Sequence, residues 1–479
     1  MSTIVAISTP PGAGGIAVIR LSGADALAIA DRAWRGARLA DAASHSAHLG
    51  RITFADGSTL DTAVATIFRG PNSFTGEDTV EFSVHGSRWI QRRLIERLVE
   101  LGAQPAGPGE FTQRAFINGR MDLAQAEAVA DIIASSSRAA HKLAMSQMNG
   151  RFSRRLDQLR QELVDLASLL ELELDFSEED VEFADRQRLD ELTGEILTQI
   201  NRLADTYDAG RAFKEGVPVA IAGVPNAGKS TLLNSLLDED KAIVSDIPGT
   251  TRDIIEDTRE IDGVLFRFID TAGLRDTVDT VERIGIERAT AALGRAAIIL
   301  WLIDPTQPVA PQTERMRRYA HRYPDAKIIR IDTKADLNRN ETESADATEA
   351  AAPVADDEAA AAAYQTQDGT QNRGEKVALK ISACTGEGTE ALKRLLTQMA
   401  TTDHNPDAEL IITNARHHAA LQAGASALRR ARAAMADSLP PDLIAQDIRE
   451  AIHHLAALTG QITTSDLLTT VFSRFCIGK

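Results

Sequence analysis

The fold of the central part of the chain is decided by the stretch Gly223-Val224-Pro225-Asn226-Ala227-Gly228-Lys229-Ser230-Thr231. It fits the pattern G-x-x-x-x-G-K-[ST] and lies between an apolar run at 217–222, which predicts a buried strand, and a leucine-rich run at 231–237, which predicts a helix. In such a unit, backbone N–H groups surround a phosphate at the positive end of the helix. Lys229 would reach the β- and γ-phosphates, and the Ser230 hydroxyl would bind Mg²⁺. A chance match in a glycine-containing turn is the alternative, and the flanking strand and helix argue against it.

Three further motifs follow in order and predict a guanine nucleotide as the ligand. Asp270-Thr271-Ala272-Gly273 fits D-x-x-G, in which the carboxylate approaches Mg²⁺ through water and the glycine amide contacts the γ-phosphate. Thr333-Lys334-Ala335-Asp336 resembles N-K-x-D, whose carboxylate accepts hydrogen bonds from N1–H and the exocyclic amine of guanine. Adenine presents no such pair of donors, so Asp336 would select the base, although Thr333 stands where Asn is usual. Ser382-Ala383-Cys384 resembles the S-A-K element that supports the base.

The residues between these motifs bear on how GTP would be cleaved. Four motifs in this order predict an α/β GTPase domain of the Ras-like type. Leu274 occupies the position of the glutamine that orients water in Ras-like enzymes, and leucine cannot polarise water. Either hydrolysis is slow or another residue orients the water. Thr251, in Gly249-Thr250-Thr251-Arg252-Asp253, is expected to close on Mg²⁺.

Asn226 suggests a monovalent cation beside the phosphates. Its amide oxygen is a hard neutral ligand that suits K⁺, and a cation there could stabilise transition-state charge as an arginine finger does. The alternative is an ordinary loop asparagine whose side chain bonds its own backbone.

The motifs of the middle and of both ends resemble the MnmE (TrmE) family of bacterial tRNA modification GTPases. In the middle these are G-x-P-N-A-G-K-S-T, D-I-P-G-T-T-R-D, D-T-A-G-L-R and V-E-R-I-G-I-E-R. Near the N-terminus, the stretches at 9–15, 71–78 and 108–116 resemble that family's folate-binding domain. The final residues Phe475-Cys476-Ile477-Gly478-Lys479 match its C-I-G-K ending.

The resemblance implies roles for individual residues of the nucleotide site. Oxygens of Ser245, Ile247 and Thr250 would join Asn226 around K⁺, while Glu282 would orient the water in place of the missing glutamine. By residue type alone, Glu282 is simply an exposed helix charge. The residues expected to contact GTP are Asn226, Ala227, Gly228, Lys229, Ser230, Thr231, Ser245, Asp246, Ile247, Pro248, Gly249, Thr250, Thr251, Asp270, Thr271, Ala272, Gly273, Thr333, Lys334, Asp336, Ser382, Ala383 and Cys384.

The same resemblance implies a site for a one-carbon tetrahydrofolate. Arg20, Glu81, Arg120 and Lys479 fall at positions that contact the folate, with Lys479 remote from the others in sequence. By residue type alone, each is more commonly a surface or structural charge. Cys476 is either a reactive thiol near the folate or a buried structural cysteine.

The resemblance also implies partners and an overall function. The chain would form a homodimer through its N-terminal domain and act with a separate FAD-containing protein. Together they would attach a (carboxymethyl)aminomethyl group to C5 of the wobble uridine of certain tRNAs, with a carbon from folate, while closure of the GTPase domains times the chemistry. A regulatory or ribosome-assembly GTPase is the alternative, but the folate-like motifs would then be unexplained. Asp336 disfavours an ATPase scaffold.

Composition limits the classes of protein that the chain can represent. A length of 479 residues suggests several domains, and a hydrophobic content of 43% supports packed cores. Two distant cysteines, Cys384 and Cys476, argue against a disulfide framework and fit a reducing cytoplasm. No apolar run is long enough to span a bilayer, and the first residues lack the pattern of a signal peptide. The net charge of −17 argues against broad nucleic-acid binding, although a local basic patch could hold tRNA.

The patterning predicts a multidomain chain. We expect an α+β domain over 1–118, and one all-α domain built from 119–215 and 403–479, where apolar residues recur at helical spacing. The α/β GTPase domain would be inserted at 216–402.

Three other stretches are open to more than one interpretation. Residues 12–17 can be forced into the dinucleotide pattern G-x-G-x-x-A, but 16–21 predicts a strand where that pattern needs a helix, so we reject a Rossmann site. Residues 338–375 are acidic and poor in large apolar side chains, which predicts a mobile insertion, with an acidic docking segment as the alternative. A basic stretch would form either a solvated face or a contact with tRNA phosphates; it comprises Arg138, Lys142, Arg151, Arg154, Arg155 and Arg160.

Overall fold

A computed structural model describes residues 1–175, 186–237, 256–269, 294–324, 326–340, 378–401, 410–473 and 475–478. Its contacts divide the chain into two compact units. One unit contains Met1–Ala134, Ala144–Asn201 and Ala419–Lys479, and the other contains Ser135–Leu143 and Arg202–His418.

The first unit begins with a mixed sheet of seven strands. They are β1 (Ile4–Ile7), β2 (Ile16–Ser22), β3 (Trp34–Arg35), β4 (Ser46–Thr53), β5 (Thr59–Phe68), β6 (Thr79–His85) and β7 (Gln104–Pro105). The order is β3-β4-β5-β6-β2-β1-β7, and only β1 and β7 are parallel. Helices α1 (Ala26–Ala33) and α2 (Arg88–Glu100) share one core with Ile19, Leu21 and Phe82 of the sheet. The α+β prediction is confirmed.

The glycine-rich segment between β1 and β2 does not lead into a helix. β1 and β2 pair as antiparallel neighbours, with Ile4 opposite Ser22 and Ile7 opposite Ile19. A dinucleotide fingerprint needs a helix after the glycines. The rejection of a Rossmann site is therefore confirmed.

Helices follow the N-terminal sheet. They are α3 (Glu110–Ile117), α4 (Leu123–Ala134), α5 (Arg138–Met148), α6 (Arg151–Asp175) and α7 (Arg186–Asp205). On α6 the leucines at 156, 159, 163, 166 and 170 are all buried. The helical spacing of apolar residues noted for 119–215 thus corresponds, on α6, to one buried apolar face.

The second unit contains a six-stranded sheet within the described residues. The elements are α8 (Tyr207–Glu215), β8 (Val217–Gly223), α9 (Lys229–Leu237), β9 (Glu256–Ile261), β10 (Val264–Ile269), β11 (Ile298–Ile303), α10 (Val309–Arg322), β12 (Lys327–Asp332), β13 (Ala378–Lys380) and α11 (Thr389–Thr401). The strand order is β13-β12-β11-β8-β10-β9, and every neighbouring pair except β9 and β10 is parallel.

Both faces of this second sheet are buried, as a parallel sheet requires. Val219 and Leu300 belong to one apolar cluster, whereas their neighbours Ala220 and Trp301 belong to another. This is the Ras-like α/β architecture that the sequence predicted.

The chain then returns to helices. They are α12 (Ala415–Ala436), α13 (Pro441–Thr459) and α14 (Ser465–Phe472). α13 packs on α6, and Arg449 of α13 forms an ion pair with Glu171 of α6 at 2.5 Å. These two helices, from distant segments of the chain, therefore pack together. Within the described part of the chain, no helix is long and apolar enough to cross a membrane.

Candidate functional site

The phosphate loop joins β8 to α9 through residues with positive φ angles. A Cβ atom at Gly223 would lie 2.6 Å from the carbonyl oxygen of Leu302 on β11, so only glycine fits where the loop leaves the strand. Asn226 and Gly228 have φ angles of +62° and +92°. A Cβ atom at Gly228 would meet no atom within 4 Å, so the space beside this turn is open.

The start of α9 presents groups that can bind a phosphate. The Nζ of Lys229 donates to the carbonyl oxygens of Gly223 at 3.1 Å and Val224 at 2.9 Å, so the ammonium group spans the loop. Ser230 is exposed. The first N–H groups of a helix have no partner within the helix, and together with the helix dipole they favour an anion. The predicted strand–loop–helix unit is confirmed.

Asn226 lies exposed in this loop, and its side chain forms no hydrogen bond to a described residue. The role of Asn226 as a cation ligand stays a prediction. The amide oxygen is free of described partners and can act as a ligand.

The base-recognition motifs contact each other through one hydrogen bond. The hydroxyl of Ser382 donates to Oδ1 of Asp336 at 2.8 Å. Ser382 is buried, whereas Asp336 is exposed. The backbone N–H of Ala335 also donates to the carbonyl oxygen of Ile381 at 3.3 Å. One carboxylate oxygen of Asp336 is thus fixed while the group stays accessible to a ligand.

Lys334 and Thr333 both contact residues at or directly after the end of β11. The Nζ of Lys334, whose φ angle is +57°, lies 2.7 Å from Oδ2 of the fully buried Asp304. Burial alone would raise the pKa of Asp304, but hydrogen bonds from Lys334 and Thr306 outweigh it and hold that pKa below its usual value. Thr333 donates through Oγ1 to the carbonyl oxygen of Ile303 at 3.1 Å. The hydroxyl of Thr333 therefore anchors the loop to the backbone of β11.

Sequence reasoning missed Asp304. It belongs to none of the four motifs, and its contact with Lys334 spans thirty positions of the chain. The available signal was an acid directly after an apolar strand, at the edge where ligands of α/β sheets bind.

Parallel pairing brings the phosphate loop and the base loops to one edge of the sheet. Gly223 of β8 is opposite Leu302 of β11, and Ile303 of β11 is opposite Asp332 of β12. β12 is paired in turn with β13. The predicted residues 226–231, 333–336 and 382–384 all follow strands that end at this edge. The predicted residues 245–251, Asp270 to Gly273, Leu274, Glu282 and Lys479 lie outside the described residues.

A second candidate site lies on the N-terminal sheet. Arg20 of β2 and Glu81 of β6 are directly opposite each other, with Nε and Oε1 2.8 Å apart. The guanidinium of Arg20 also lies over the rings of Phe74 at 5.4 Å and Phe111 at 5.6 Å, within the range of cation–π attraction. The structure brings the predicted Arg20 and Glu81 together.

An open cleft of about 490 Å³ includes Phe74, the ring that Arg20 lies over, but is lined by neither Arg20 nor Glu81. Phe74 contacts Arg20 and lines the cleft, and Arg120 lines it too. The full lining is His45, Phe68, Asn72, Ser73, Phe74 and Arg120. Aromatic walls with a few polar and cationic groups suit a flat heteroaromatic ligand that carries charge.

Arg114 supports the loop that carries Phe74, and sequence reasoning gave it no role. It is buried, and its guanidinium donates to Glu77 at 3.2 Å, to Glu110 at 2.8 Å and to the carbonyl oxygen of Ser2 at 2.6 Å. A buried arginine with two carboxylate partners holds its surroundings in one geometry. No local motif could have revealed this contact, because its partners come from three separate segments.

The C-terminal residues lie against the N-terminal sheet. Ile477 forms a bridge with Pro108, and the hydroxyl of Ser8 donates to the carbonyl oxygen of Gly478 at 3.1 Å. Gly478 has a φ angle of +97°, and a Cβ atom there would overlap the carbonyl oxygen of Ile7. Cys476 is an exposed free thiol, so the alternative of a buried structural cysteine is wrong.

Comparisons with known proteins agree over the whole chain. The family model of the GTP-binding protein TrmE N-terminus matches residues 3–120, and that of the MnmE helical domain matches residues 123–476. The tRNA modification GTPase MnmE of Parabacteroides distasonis is 45% identical over 484 residues, which cover 100% of both chains. The proteins of that name from Porphyromonas gingivalis and Salinibacter ruber are 46% and 44% identical, over 100% of this chain and 98% and 99% of theirs. The predicted resemblance is confirmed, and the chain belongs to the MnmE family of tRNA modification GTPases.

Proposed function

We propose that this chain is a K⁺-dependent GTP hydrolase that acts with an FAD-containing partner to add a (carboxymethyl)aminomethyl group to C5 of wobble uridine in certain tRNAs. GTP hydrolysis in tRNA modification follows from membership of the family. The observation that carries the nucleotide assignment is the contact of Ser382 with Asp336 at the sheet edge that also bears the phosphate loop. The K⁺ dependence, the FAD-containing partner and the wobble position are proposals that go beyond family membership.

The nucleotide site has the groups that GTP and Mg²⁺ need. Residues 226–231 would surround the phosphates, and the exposed hydroxyl of Ser230 fits a Mg²⁺ ligand, with Thr251 as the second protein ligand. Mg²⁺ would neutralise charge on the β- and γ-phosphates. Asp336, fixed on one side by Ser382, would accept both donors of guanine.

The cation site and the water-orienting residue complete this part of the proposal. The accessible amide of Asn226 supports a K⁺ ligand, and Ser245, Ile247 and Thr250 would supply further oxygens. Glu282 would orient the attacking water, because Leu274 cannot.

The N-terminal cleft would bind a one-carbon tetrahydrofolate, which would supply the carbon unit. Arg20, Glu81 and Arg120 provide charged groups beside aromatic rings. Gly478 accepts a hydrogen bond from Ser8, next to β1, and this position supports a role for Lys479 at the same sheet. We also propose the domain limits 1–118, 119–215, 216–402 and 403–479 and a homodimer formed through the first of these. Two exposed free thiols favour a reducing, cytoplasmic location.

A regulatory or ribosome-assembly GTPase is the competing function. It would use the nucleotide site equally well. It gives no role to the cleft beside Arg20 and Glu81, so we favour modification.

The base site predicts a change of nucleotide preference. Asp336→Asn replaces an edge with two acceptors by one acceptor and one donor, so one hydrogen bond to a charged group, worth about 1.5–3 kcal/mol, is removed. We expect affinity for GTP to fall by roughly 10- to 100-fold and affinity for xanthosine triphosphate to rise. Titration of both nucleotides measures this. The control is Glu387→Gln, in the loop after Ser382, which should bind GTP as the wild type does. Unchanged GTP affinity in Asp336→Asn would show that the base site is elsewhere.

The cation ligand predicts a salt-specific hydrolysis rate. We expect GTP turnover to be faster in KCl than in NaCl at equal ionic strength by about 10-fold or more, a modest share of the 10³–10⁵ that an arginine finger provides. Asn226→Gly should abolish the difference, since glycine keeps the φ of +62° and removes only the amide. Asn226→Ala should do the same with added backbone strain, whereas Asn234→Ala on α9 should keep the K⁺ effect. Equal wild-type rates in both salts would refute the cation site.

The N-terminal cleft predicts folate binding without nucleotide. Arg20→Ala and Glu81→Ala should each weaken binding of a reduced one-carbon folate by about 10-fold or more, because each removes a charged hydrogen-bonding group worth about 1.5–3 kcal/mol. Calorimetry on the dimeric protein measures this, with GTP affinity as an internal reference. Arg93→Ala on the exposed side of α2 is the matched control. Absence of folate binding to the wild type would leave this domain with only a scaffolding role.

A further inference from the structure

A cationic surface at the start of α6 has no part in the sites described above. It consists of Arg151, Arg154 and Arg155, which we call the α6 arginine patch. Spacings of three and four residues place the three side chains on one face of the helix, away from the buried leucines at 156, 159 and 163. Arg151 and Arg154 are exposed, and Arg155 is half-buried.

None of the three guanidinium groups is paired with a carboxylate of a described residue. Arg154 donates to the carbonyl oxygen of Asn149 at 2.9 Å. Arg155 donates to the amide oxygens of Gln158 at 3.0 Å and of Gln199. Arg151 has no hydrogen-bond or ion-pair partner among the residues that the structure describes. Neutral acceptors orient Arg154 and Arg155 but leave their positive charge uncompensated.

Three arginines on α12 and α13 of the same unit are paired with carboxylates. Arg432 pairs with Asp190 at 2.7 Å, and Arg449 pairs with Glu171 at 2.5 Å. Arg430 lies against two carboxylates, at 2.9 and 2.6 Å. The α6 arginine patch differs from these three, because the exposed acid nearest to it along α6, Asp157, forms its hydrogen bond with Gln461.

The position of the patch on the helix is unfavourable in the isolated chain. The first turn of α6 has no acidic residue, and cations near a helix N-terminus are opposed by the helix dipole. The acids Glu162 and Asp165 follow later on the same exposed face. A helix is stabilised by acids near its N-terminus and bases near its C-terminus, whereas here the bases come first. An external anion would turn the arrangement into a favourable one.

We propose that the α6 arginine patch binds the sugar–phosphate backbone of tRNA; this inference rests on the proposed function, in which tRNA is the substrate. A guanidinium matches a phosphate in charge and in the geometry of its paired donors. Phosphate contacts set the position of a nucleic acid without reading its sequence. The patch therefore orients tRNA on the helical part of the chain, and selection of the tRNA lies elsewhere.

The test is the salt dependence of tRNA binding. The full-length chain is titrated with an unmodified tRNA transcript over a series of KCl concentrations. The triple variant Arg151→Gln, Arg154→Gln, Arg155→Gln should flatten the slope of log K against log salt by about 2–3, because each duplex phosphate that an arginine neutralises adds about 0.9 to that slope. Binding at low salt should weaken on the order of 10- to 100-fold. GTP hydrolysis should stay unchanged, and the Lys triple variant at the same positions should keep most of the slope.

A charge-matched control separates the patch from overall charge. Arg38→Gln, Arg188→Gln and Arg318→Gln remove the same charge at exposed positions elsewhere. This control should bind tRNA with the wild-type slope. An equal reduction of the slope in both triple variants, or an unchanged slope in the patch variant, would overturn the proposal.

Two further outcomes would also contradict the inference. In a competition assay, polyglutamate and unlabelled tRNA are compared at equal total charge. If polyglutamate displaces labelled tRNA equally well, the patch is a docking site for an acidic protein. A wild-type chain that binds no tRNA in either its GDP or its GTP state would exclude an RNA contact. GTP hydrolysis in KCl and folate binding, measured on the same preparations, report on the proposed function independently.

Discussion

The nucleotide site depends on the parallel pairing of β8 with β11 and of β11 with β12. This pairing makes the loops after β8, β12 and β13 leave the sheet at one edge, the edge at which α/β sheets bind ligands. β8 and β12 are two strand spacings apart, roughly 10 Å, so one strand separates the phosphate loop from the base loop. Leu302 of β11 restricts Gly223 on one side, and Asp304, directly after β11, forms an ion pair with Lys334 on the other.

In the N-terminal domain, antiparallel strand pairing brings the candidate folate-binding residues together. Register places Arg20 opposite Glu81, and the loop bearing Phe74 lies over Arg20 because Arg114 holds Glu77 and Glu110. Gly478 lies against Ile7, which brings the last described residues of the chain to the same sheet. One chain thus has a nucleotide site and a cleft suited to a charged heteroaromatic ligand, and this combination is what favours a modification enzyme over a purely regulatory GTPase.

Local signals predicted most of the fold, and long-range contacts account for what they missed. An apolar run located β8, and helical spacing indicated helices in 119–215 and 403–479, because each pattern is set by neighbouring residues. Motifs likewise found Asp336 and Ser382. Asp304 and Arg114 escaped prediction because their partners are brought to them only by folding. The basic stretch was undecided for the same reason: sequence cannot tell whether a carboxylate from another helix will neutralise an arginine.

The central claim is that guanine nucleotide recognition at Asp336 serves the modification of wobble uridine. The most direct test is mass spectrometry of wobble nucleosides in tRNA from a strain that lacks the chain, complemented with the wild type or with Asp336→Asn. The account predicts that C5-modified uridines disappear in the deletion, return with the wild type and stay low with the variant. An unchanged nucleoside profile in the deletion strain would contradict it.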